Sequence, residues 1–572
     1  MKYKFLFIPG ALLLCVLFLS SGLYRDSIPV YKKAVNTPLT MCGTFLVDWE
    51  DTTTAPAMIF PGLGDLRFSV TTSSPKAQEF FNQGLKLIYG FNHWEAIQSF
   101  RHAIKLDSDF AMGYWGLALA YGPNLNDINP QDRERLAYEA IRNAIKRNVK
   151  STPFEKDFMH ALATRYNGKS YEVRDSLNQA YSQAMIKLAK KYPEAAEAQT
   201  LCADAIMNTM PWDYWEKDGS PKPATREAKL ILENVLKKFP EHSGAHHLYI
   251  HLVEASPAPD QALASAKFLE TSMPGAGHIV HMPAHIYLRV GQYGKSIQSN
   301  EKAVAADESY LSISDNRGLY RLMYYPHNID FISFSSYMQG RSDLALRTAM
   351  KLGYKGSLVA VANAAFAQYL MAEPMIAYTR FGKWNDILSL PKPDPNLIYP
   401  HVIRHFARGM ALLRSDNLEG AEKEWFQLDS LSKLDTLKSI YFSFNAASDI
   451  VQVPLHILKG ELLLKQNKVN EGIETLYQAV VKEDGLRYNE PPDWKIFSRH
   501  YLGAALSDAG KYAEGEKIFQ EDLKRNPENG WSLKGLAVCQ LKQNNKSTGA
   551  ETAKRFEKAW KDADIKITSA RF

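Results

Sequence analysis

Residues 77–110 read AQEFFNQGLKLIYGFNHWEAIQSFRHAIKLDSDF, and the spacing within this stretch decides the fold. The residues that set the spacing lie at offsets 0, 12, 16, 19 and 24: Gly84, Ala96, Phe100, Ala103 and Ser108. Small residues let two paired helices approach closely, and turn residues separate two apolar patterns of helical period. The stretch therefore predicts a helix, a tight turn and a second helix.

The same offsets recur later in the chain. They are met at Gly503, Gly515, Phe519, Asp522 and Pro527, at Gly460, Gly472, Leu476, Ala479 and Asp484, and in part at Gly409 and Ala421. From Ser74 onward, strand signals nearly vanish from the sequence. Each hairpin leaves an apolar face for its neighbour, so the repeats predict an all-α stack with a concave groove.

These residues resemble the tetratricopeptide repeat (TPR) family, whose repeat has about 34 residues. Clear units are 77–110, 243–276, 277–310, 326–359, 402–435, 453–486 and 496–529, weaker ones are 111–150, 162–215 and 360–400, and a last helix pair covers 530–563. The resemblance implies a TPR-type helical-hairpin solenoid, a right-handed superhelix. Phrases such as GAGHIVHMPAHIY, at 275–287, also resemble a branch of large bacterial TPR proteins that has no firmly assigned activity.

The repeat boundaries predict five segments. The first two are a signal peptide or anchor at 1–24 and a short irregular segment at 25–73. TPR-like repeats follow at 74–235, His-rich repeats with the candidate site at 236–360, and C-terminal repeats at 361–572.

Composition excludes several classes of protein. With 45% apolar and 23% charged residues, the sequence is neither disordered nor a multi-span membrane protein. The net charge of +6 is small for 572 residues, and no run of five Lys or Arg occurs, so we expect no nucleic-acid partner. Four Cys in this length cannot form a disulfide framework.

The amino-terminal residues predict export. Lys2 and Lys4 precede an uncharged, apolar run from Phe5 to Tyr24. Such a run is typical of a secretory signal peptide, and the alternative is an uncleaved anchor, since about 20 apolar residues can span a bilayer. The sequence therefore predicts an exported protein, periplasmic or membrane-anchored, that meets a membrane only through this segment.

Histidine is concentrated in one part of the chain. Seven of the 15 His lie between positions 242 and 285, far more than an even spread would place there. His247 and His251 form one HxxxH pair, and His281 and His285 form a second pair one 34-residue unit later. Residues i and i+4 share a helix face. Repeats that stack in register therefore bring the two pairs side by side.

Further polar residues fall on the same predicted face, which the TPR resemblance places in the concave groove. Glu254 follows His251 by three residues, and His278 precedes His281 by three. In unit 326–359, His327 takes the place of His278, and Asp330 takes that of His281.

This set of side chains predicts a transition-metal site. Neutral imidazole is the commonest protein ligand for zinc, copper, nickel and ferrous iron. The six predicted ligands are His247, His251, His278, His281, His285 and His327, and they would bind one or two ions of Cu, Fe or Zn. Glu254 is a predicted fourth ligand or base, and Asp330 an alternative base. The bland interpretation is packing, which explains most lone His on repeat helices.

Weaker candidates for ligand binding flank the cluster. Asp204 and Asn208 share a helix face upstream of it, and the adjoining loop carries Trp212 and Asp213. Arg321 and Asn328 lie next to His327 in the sequence. Ordinary packing is the competing interpretation for each of these residues.

Three functions remain open from the sequence. The first is an exported TPR binding protein with a metal site in its groove, which takes a peptide, a protein or a small polar ligand. The second is a metal-dependent enzyme, either a di-copper or di-iron oxidoreductase or a zinc hydrolase. The third is a peptide-binding scaffold of an envelope assembly with incidental His, and the repeat register of the His pairs counts against it.

Overall fold

A computed structural model describes residues 57–128, 133–169, 173–314, 320–359 and 365–572. Nearly all elements in these ranges are helices, and successive helices pack against each other in chain order. The predicted all-α, TPR-type solenoid of helical hairpins is confirmed.

The described ranges contain the following α-helices: α1 Pro75–Tyr89, α2 His93–Leu106, α3 Ala111–Tyr121, α4 Glu134–Arg147, α5 Pro153–Ala163, α6 Arg174–Lys191, α7 Ala196–Met207, α8 Pro223–Lys238, α9 Ser243–Val253, α10 Leu263–Ser272, α11 Gly277–His281, α12 Pro283–Arg289, α13 Tyr293–Leu311, α14 Tyr325–Gln339, α15 Ser342–Val359, α16 Ala365–Arg380, α17 Trp384–Ser389, α18 Ile398–Arg414, α19 Leu418–Ser432, α20 Ala447–Ile450, α21 Gln452–Lys465, α22 Val469–Asp484, α23 Ser498–Asp508, α24 Tyr512–Arg525, α25 Gly530–Lys542 and α26 Lys546–Ala559. Short 3-10 turns cover Asn148–Lys150, Pro259–Ala262 and Asp435–Lys438, and a π-helical turn covers Tyr320–Tyr324. One antiparallel hairpin pairs β1 Tyr441–Phe442 with β2 Asn445–Ala446.

Close packing explains the glycine of the repeat pattern. A Cβ on Gly84 in α1 would lie 2.6 Å from Cζ of Phe100 in α2. The same contact recurs in the C-terminal repeats, where a Cβ on Gly503 would lie 2.5 Å from Cζ of Phe519. Only glycine admits the large ring at this helix crossing. The offset of 16 residues in the sequence therefore marks two positions at which the paired helices touch.

The residues before α1 follow no regular secondary structure from 57 to 74 and are held by side chains of α1. The amides of Phe60 and Val70 donate to Gln83 Oε1 and Gln78 Oε1, at 2.8 and 2.9 Å. The predicted signal peptide or anchor at 1–24 lies outside the described residues. None of the described helices is long and apolar enough to cross a membrane.

The C-terminal repeats close over the first helices of the His-rich repeats. The Tyr293 hydroxyl donates to Pro527 O at 2.8 Å, and Trp531 Nε1 donates to Tyr337 O at 2.7 Å. Arg289 also reaches Arg525 O at 3.3 Å. The sequence predicts an open groove at the His face, whereas the structure has a covered interior there, because contacts between distant repeats do not follow from repeat spacing.

Asp522 joins helices of the last repeats. Its carboxylate accepts hydrogen bonds from Ser532 Oγ at 2.6 Å and Asn529 Nδ2 at 3.0 Å, and lies 3.1 Å from His500 Nε2. Burial alone would raise the pKa of this carboxyl, but His500 and the donors outweigh burial and lower the pKa to about 2. The folded pKa is below the unfolded value of about 4, so this stabilisation is complete above about pH 4 and is lost as the pH falls towards 2.

Asp522→Asn should lower the free energy of unfolding at neutral pH by about 2 kcal/mol, which is the equivalent of the pKa displacement. Urea unfolding of wild type and variant measures the difference. It should shrink between about pH 7 and about pH 3, because Asp522 of the unfolded chain, with a pKa of about 4, binds a proton while the folded carboxylate, with a pKa of about 2, is still mostly ionised. Asp562→Asn, at an exposed site, is the control. A difference that stays constant with pH would contradict the assignment.

Candidate metal centre

Six imidazoles from four helices meet in the interior. His247 and His251 lie on α9, His278 and His281 on α11, and His285 on α12. His327 comes from α14. The first five are at most 3% exposed, and His327 is partly buried. The six predicted ligands are therefore brought together, in an enclosed site.

The six His divide into two groups of three. In the first triad, His247, His251 and His278, one ring nitrogen from each residue lies within 4.8 Å of the others. The second triad, His281, His285 and His327, meets the same limit. The grouping mixes the two HxxxH pairs with their flanking His.

The two triads adjoin each other. The ring centroids of His251 and His285 are 5.8 Å apart, and so are those of His278 and His281. A phenylalanine backs each triad. Phe91 contacts all three rings of the first triad at centroid distances of 4.5–5.7 Å, and Phe331 those of the second at 4.7–4.9 Å. Each set of nitrogens thus has an apolar, water-excluding surface beside it.

Hydrogen bonds to Nδ1 orient the rings of the first triad. His247 Nδ1 donates to Tyr89 O at 2.5 Å, and His251 Nδ1 donates to Glu254 Oε1 at 3.2 Å. These acceptors assign the proton to Nδ1 and leave Nε2 with a lone pair. Nε2 of His247 and His251 and both ring nitrogens of His278 are buried and have no hydrogen-bond partner among the described residues.

The second triad contains a chain of hydrogen bonds. Asn300 Nδ2 donates to Ser296 O at 2.8 Å, which leaves its Oδ1 to accept from His281 Nδ1 at 2.6 Å. His281 Nε2 is then an acceptor for His285 Nε2, at 2.8 Å. An anchored Nδ1 with a lone pair on Nε2 is the arrangement that metal-ligating His adopt in proteins.

Two carboxylates flank His285. Its Nδ1 lies 2.7 Å from Glu254 Oε2 and 2.9 Å from Glu490 Oε2. Burial opposes a charge on this ring, but the two carboxylates outweigh burial and raise its pKa to about 10. Burial also opposes the charge on Glu254, yet His285 and His251 lower the pKa of that carboxyl to about 2. Glu254, His285 and Glu490 therefore form a charged cluster beside the triads.

The remaining imidazoles are neutral. Burial lowers the pKa of His327 to about 3 and lowers those of His247, His251, His278 and His281, and neighbouring His add to the effect at each of these five residues. A neutral ring with an exposed lone pair is the form that binds metal.

A cavity of about 150 Å³ borders both triads. Rings of His251, His278, His285 and His327 form part of its wall, and Glu490 lies next to them. The rest of the wall comes from loops and from the β1–β2 turn, which carries Phe444.

The structure places Asp330 in a different buried cluster. Its carboxylate pairs with Lys495 and accepts a hydrogen bond from the Tyr369 hydroxyl at 3.0 Å. Lys495 Nζ also lies 2.7 Å from Glu373 Oε1. Lys495 belongs to the connector before α23, and the same connector carries Glu490. Asp330 therefore contacts the connector and does not contact the His triads.

Of the candidates upstream of the His cluster, only Trp212 borders the cavity. The Trp212 ring packs edge-on against His251, at a centroid distance of 5.1 Å, and borders the cavity. Asn208 Nδ2 donates to Asp204 Oδ1 at 3.0 Å, and burial raises the pKa of Asp204 to about 6. Asp213 is paired on the outside with Lys222, at 2.6 Å.

The candidates near His327 lie outside the cavity wall. Asn328 is buried and donates to Asp307 Oδ2 at 2.7 Å, and Arg321 has an exposed side chain on the π-helical turn. The pair His401 and His405, which also has HxxxH spacing, lies on α18, where His405 contacts Glu424 at 2.6 Å.

Sequence reasoning missed three groups that complete the site: Glu490, Asn300 and the Tyr89 carbonyl. Glu490 is 205 residues away from His285, in a connector whose spacing follows no repeat. Asn300 lies on α13, the second helix of its hairpin, 19 residues after His281. In unit 277–310, Asn300 takes the place that Phe100 has in unit 77–110, where the second helix touches the first, so this one contact had a signal in the sequence.

No protein-family model and no curated protein matches the sequence. Three similar solved structures are the human IFIT1 dimer with m7Gppp-AAAA (13% identity, 78% of this chain and 90% of that one, TM-score 0.33), Ypp1 (8%, 86% and 89%, 0.41) and yeast Tom70 (12%, 84% and 93%, 0.25). At these identities and TM-scores the similarities support no conclusion about function.

Removing the charge of Glu490 should loosen the cover of the site. Glu490→Gln keeps the side-chain shape but weakens a buried, charged hydrogen bond to His285, a loss of about 1–3 kcal/mol. Hydrogen exchange followed by mass spectrometry should show faster deuterium uptake in peptides spanning 485–497. Glu557→Gln, at an exposed site on α26, should leave this uptake unchanged. Equal protection in both variants would show that Glu490 does not hold the connector.

Proposed function

We propose that the protein is an exported, TPR-type metal-binding protein that holds two transition-metal ions, one in each histidine triad. The observation that carries this proposal is the pair of buried triads. In the first triad, four ring nitrogens have no partner in the part of the chain that the structure describes. Leaving a buried polar atom unpaired costs about 1–3 kcal/mol, so a site with several such atoms is expected to have a ligand.

The donor set fits zinc, copper or ferrous iron. All six donors are imidazoles, which suit these metals, and Tyr89, Glu254 and Asn300 orient three of them, His247, His251 and His281, through Nδ1. His285 is charged in the structure, so the second triad binds an ion only as Nε2 of His285 gives up its proton, which metal binding releases. Three protein ligands leave one coordination position open. A bound ion would supply Lewis-acid or, for copper and iron, redox chemistry at that position.

Elemental analysis of protein purified without an affinity tag tests the proposal. Wild type should contain about two metal ions per chain when it is loaded in excess of the site concentration. His247→Ala should retain one ion and His281→Ala one, because each variant opens a different triad, and the double variant should retain none.

The chain offers a matched control for this experiment. His401→Ala/His405→Ala removes an HxxxH pair of the same spacing from α18 and should keep both ions. The proposal is wrong if wild type binds no transition metal. It is also wrong if the His247→Ala/His281→Ala variant binds as much metal as the control variant.

The cavity favours a second candidate function, a metal-dependent enzyme. It borders rings of both triads, so a small molecule there would meet the open coordination positions. Glu254, the predicted base, is ionised and buried beside His251 and His285, and its pKa of about 2 makes it a weak base. Glu490 lines the cavity, and burial raises its pKa, so it is the better placed base. Reductive titration of the loaded protein separates the classes. Copper or iron that changes oxidation state supports an oxidoreductase, and redox-silent zinc supports a hydrolase.

The apolar amino-terminal run supports export of the protein. A peptide-binding scaffold is the third candidate function. Intact mass of the protein from an exporting bacterial host tests the first point, since a signal peptide would be removed after residue 20 or shortly beyond. A full-length mass would instead support an anchor. Any peptide would have to bind away from the His face, because these rings are buried and the connector that carries Glu490 lies against them.

A further inference from the structure

The cavity beside the triads has the dimensions of a site for one small ring. Its volume is about 150 Å³, and an apolar cavity of about this size accepts benzene. Its apolar lining is Leu125, Ile128, Trp212, Met323, Tyr324 and Phe444. Three of these side chains are aromatic, and aromatic walls favour a flat ring over a branched chain.

The polar part of the lining consists of four imidazoles together with Asn126, Ser443, Asn489 and Glu490. The rings of His251 and His278 are 6.0 Å apart, and those of His285 and His327 are 5.8 Å apart. His251 donates through Nδ1 to Glu254, so its Nε2 can only accept a hydrogen bond or bind a metal. A ligand that satisfies this nitrogen must therefore carry a hydrogen-bond donor or an oxygen that shares the metal.

The charges around the cavity select a neutral ligand. Among the described lining residues none is Lys or Arg, while Glu490 presents a carboxyl group. Glu490 is engaged by His285, at 2.9 Å, so the lining holds no spare cation for an anionic ligand. When no ion is bound, a carboxylate or phosphate would therefore be buried without a counter-charge, which is costly.

We infer that this cavity binds a single-ring phenol, with the ring against the apolar walls and the hydroxyl towards His251 and His278. The inference rests on the proposed metal site for its side chains alone: when no ion is bound, the nitrogens of His251 and His278 that have no partner among the described residues accept a hydrogen bond from the phenol hydroxyl. It goes further by naming the class of ligand: neutral, monocyclic and aromatic, with one hydroxyl group.

Calorimetric titration of the protein with phenol, after a chelator has removed bound metal, tests the inference. Phenol should bind at least about tenfold more tightly than toluene, which has the same size but leaves the polar groups unpaired. Benzoate should fail because of its charge, and naphthol because of its second ring. Phenol that binds no more tightly than toluene, or benzoate that binds as well as phenol, would overturn the inference.

Two variants locate the ligand. Phe444→Ala removes part of the cavity wall, so it should weaken phenol binding and allow naphthol to bind. The control is Phe426→Ala, at a side chain that is 58% exposed on α19, and it should change neither phenol binding nor naphthol binding. Met323→Trp fills the cavity and should abolish phenol binding. Metal content confirms that each variant keeps its triads. If one of the two cavity variants fails to fold, the other still tests whether phenol binds in the cavity. Unchanged phenol binding in a folded cavity variant would overturn the inference.

The two proposals can fail separately. A protein that takes up two metal ions but shows no preference for phenol over toluene disproves the ring site and leaves the metal site intact. A protein that takes up no metal ion when loaded but binds phenol, and loses phenol binding in Phe444→Ala, supports the ring site and disproves the metal site.

Discussion

The enclosed site depends on His285, which lies between two carboxylates. Glu254 from the end of α9 and Glu490 from the connector before α23 both approach its Nδ1. Two buried carboxylates repel each other, and the imidazolium between them compensates this repulsion. Because Glu490 is 205 residues distant in the chain, this contact ties the C-terminal repeats to the His face and helps to convert a groove into an interior.

A phenylalanine lies beside each triad of the candidate metal centre. Each triad has a phenylalanine against its rings, Phe91 for the first and Phe331 for the second. Phe91 has a left-handed backbone conformation, with φ of 54°. A bulky residue in this region is strained, and such strain persists where the surroundings impose it, often at functional sites. Here the ring of Phe91 packs against all three imidazoles of its triad.

Local spacing explains which parts of the site were predictable. His247, His251, His281 and His285 are copies of one helix face one repeat apart, and helix geometry together with stacking in register was enough to bring them together. His278 and Glu254 followed from the same face, and His327 from the next unit. Asp330 followed the same reasoning, but a buried lysine, Lys495, draws its carboxylate into another cluster. Register predicts where a residue lies on a helix, and its partners decide where the side chain points.

The sequence by itself determined the class of fold, the helical hairpins and the shared face of the His pairs, because these depend on spacings within about 34 residues. Tertiary structure decided that this face is covered, that the six rings divide into two triads, and that a cavity lies beside them. Those features come from contacts such as His285 with Glu490 and Tyr337 with Trp531, between residues that are about 200 positions apart. Contacts of that range depend on how all intervening repeats stack, and no local spacing encodes them.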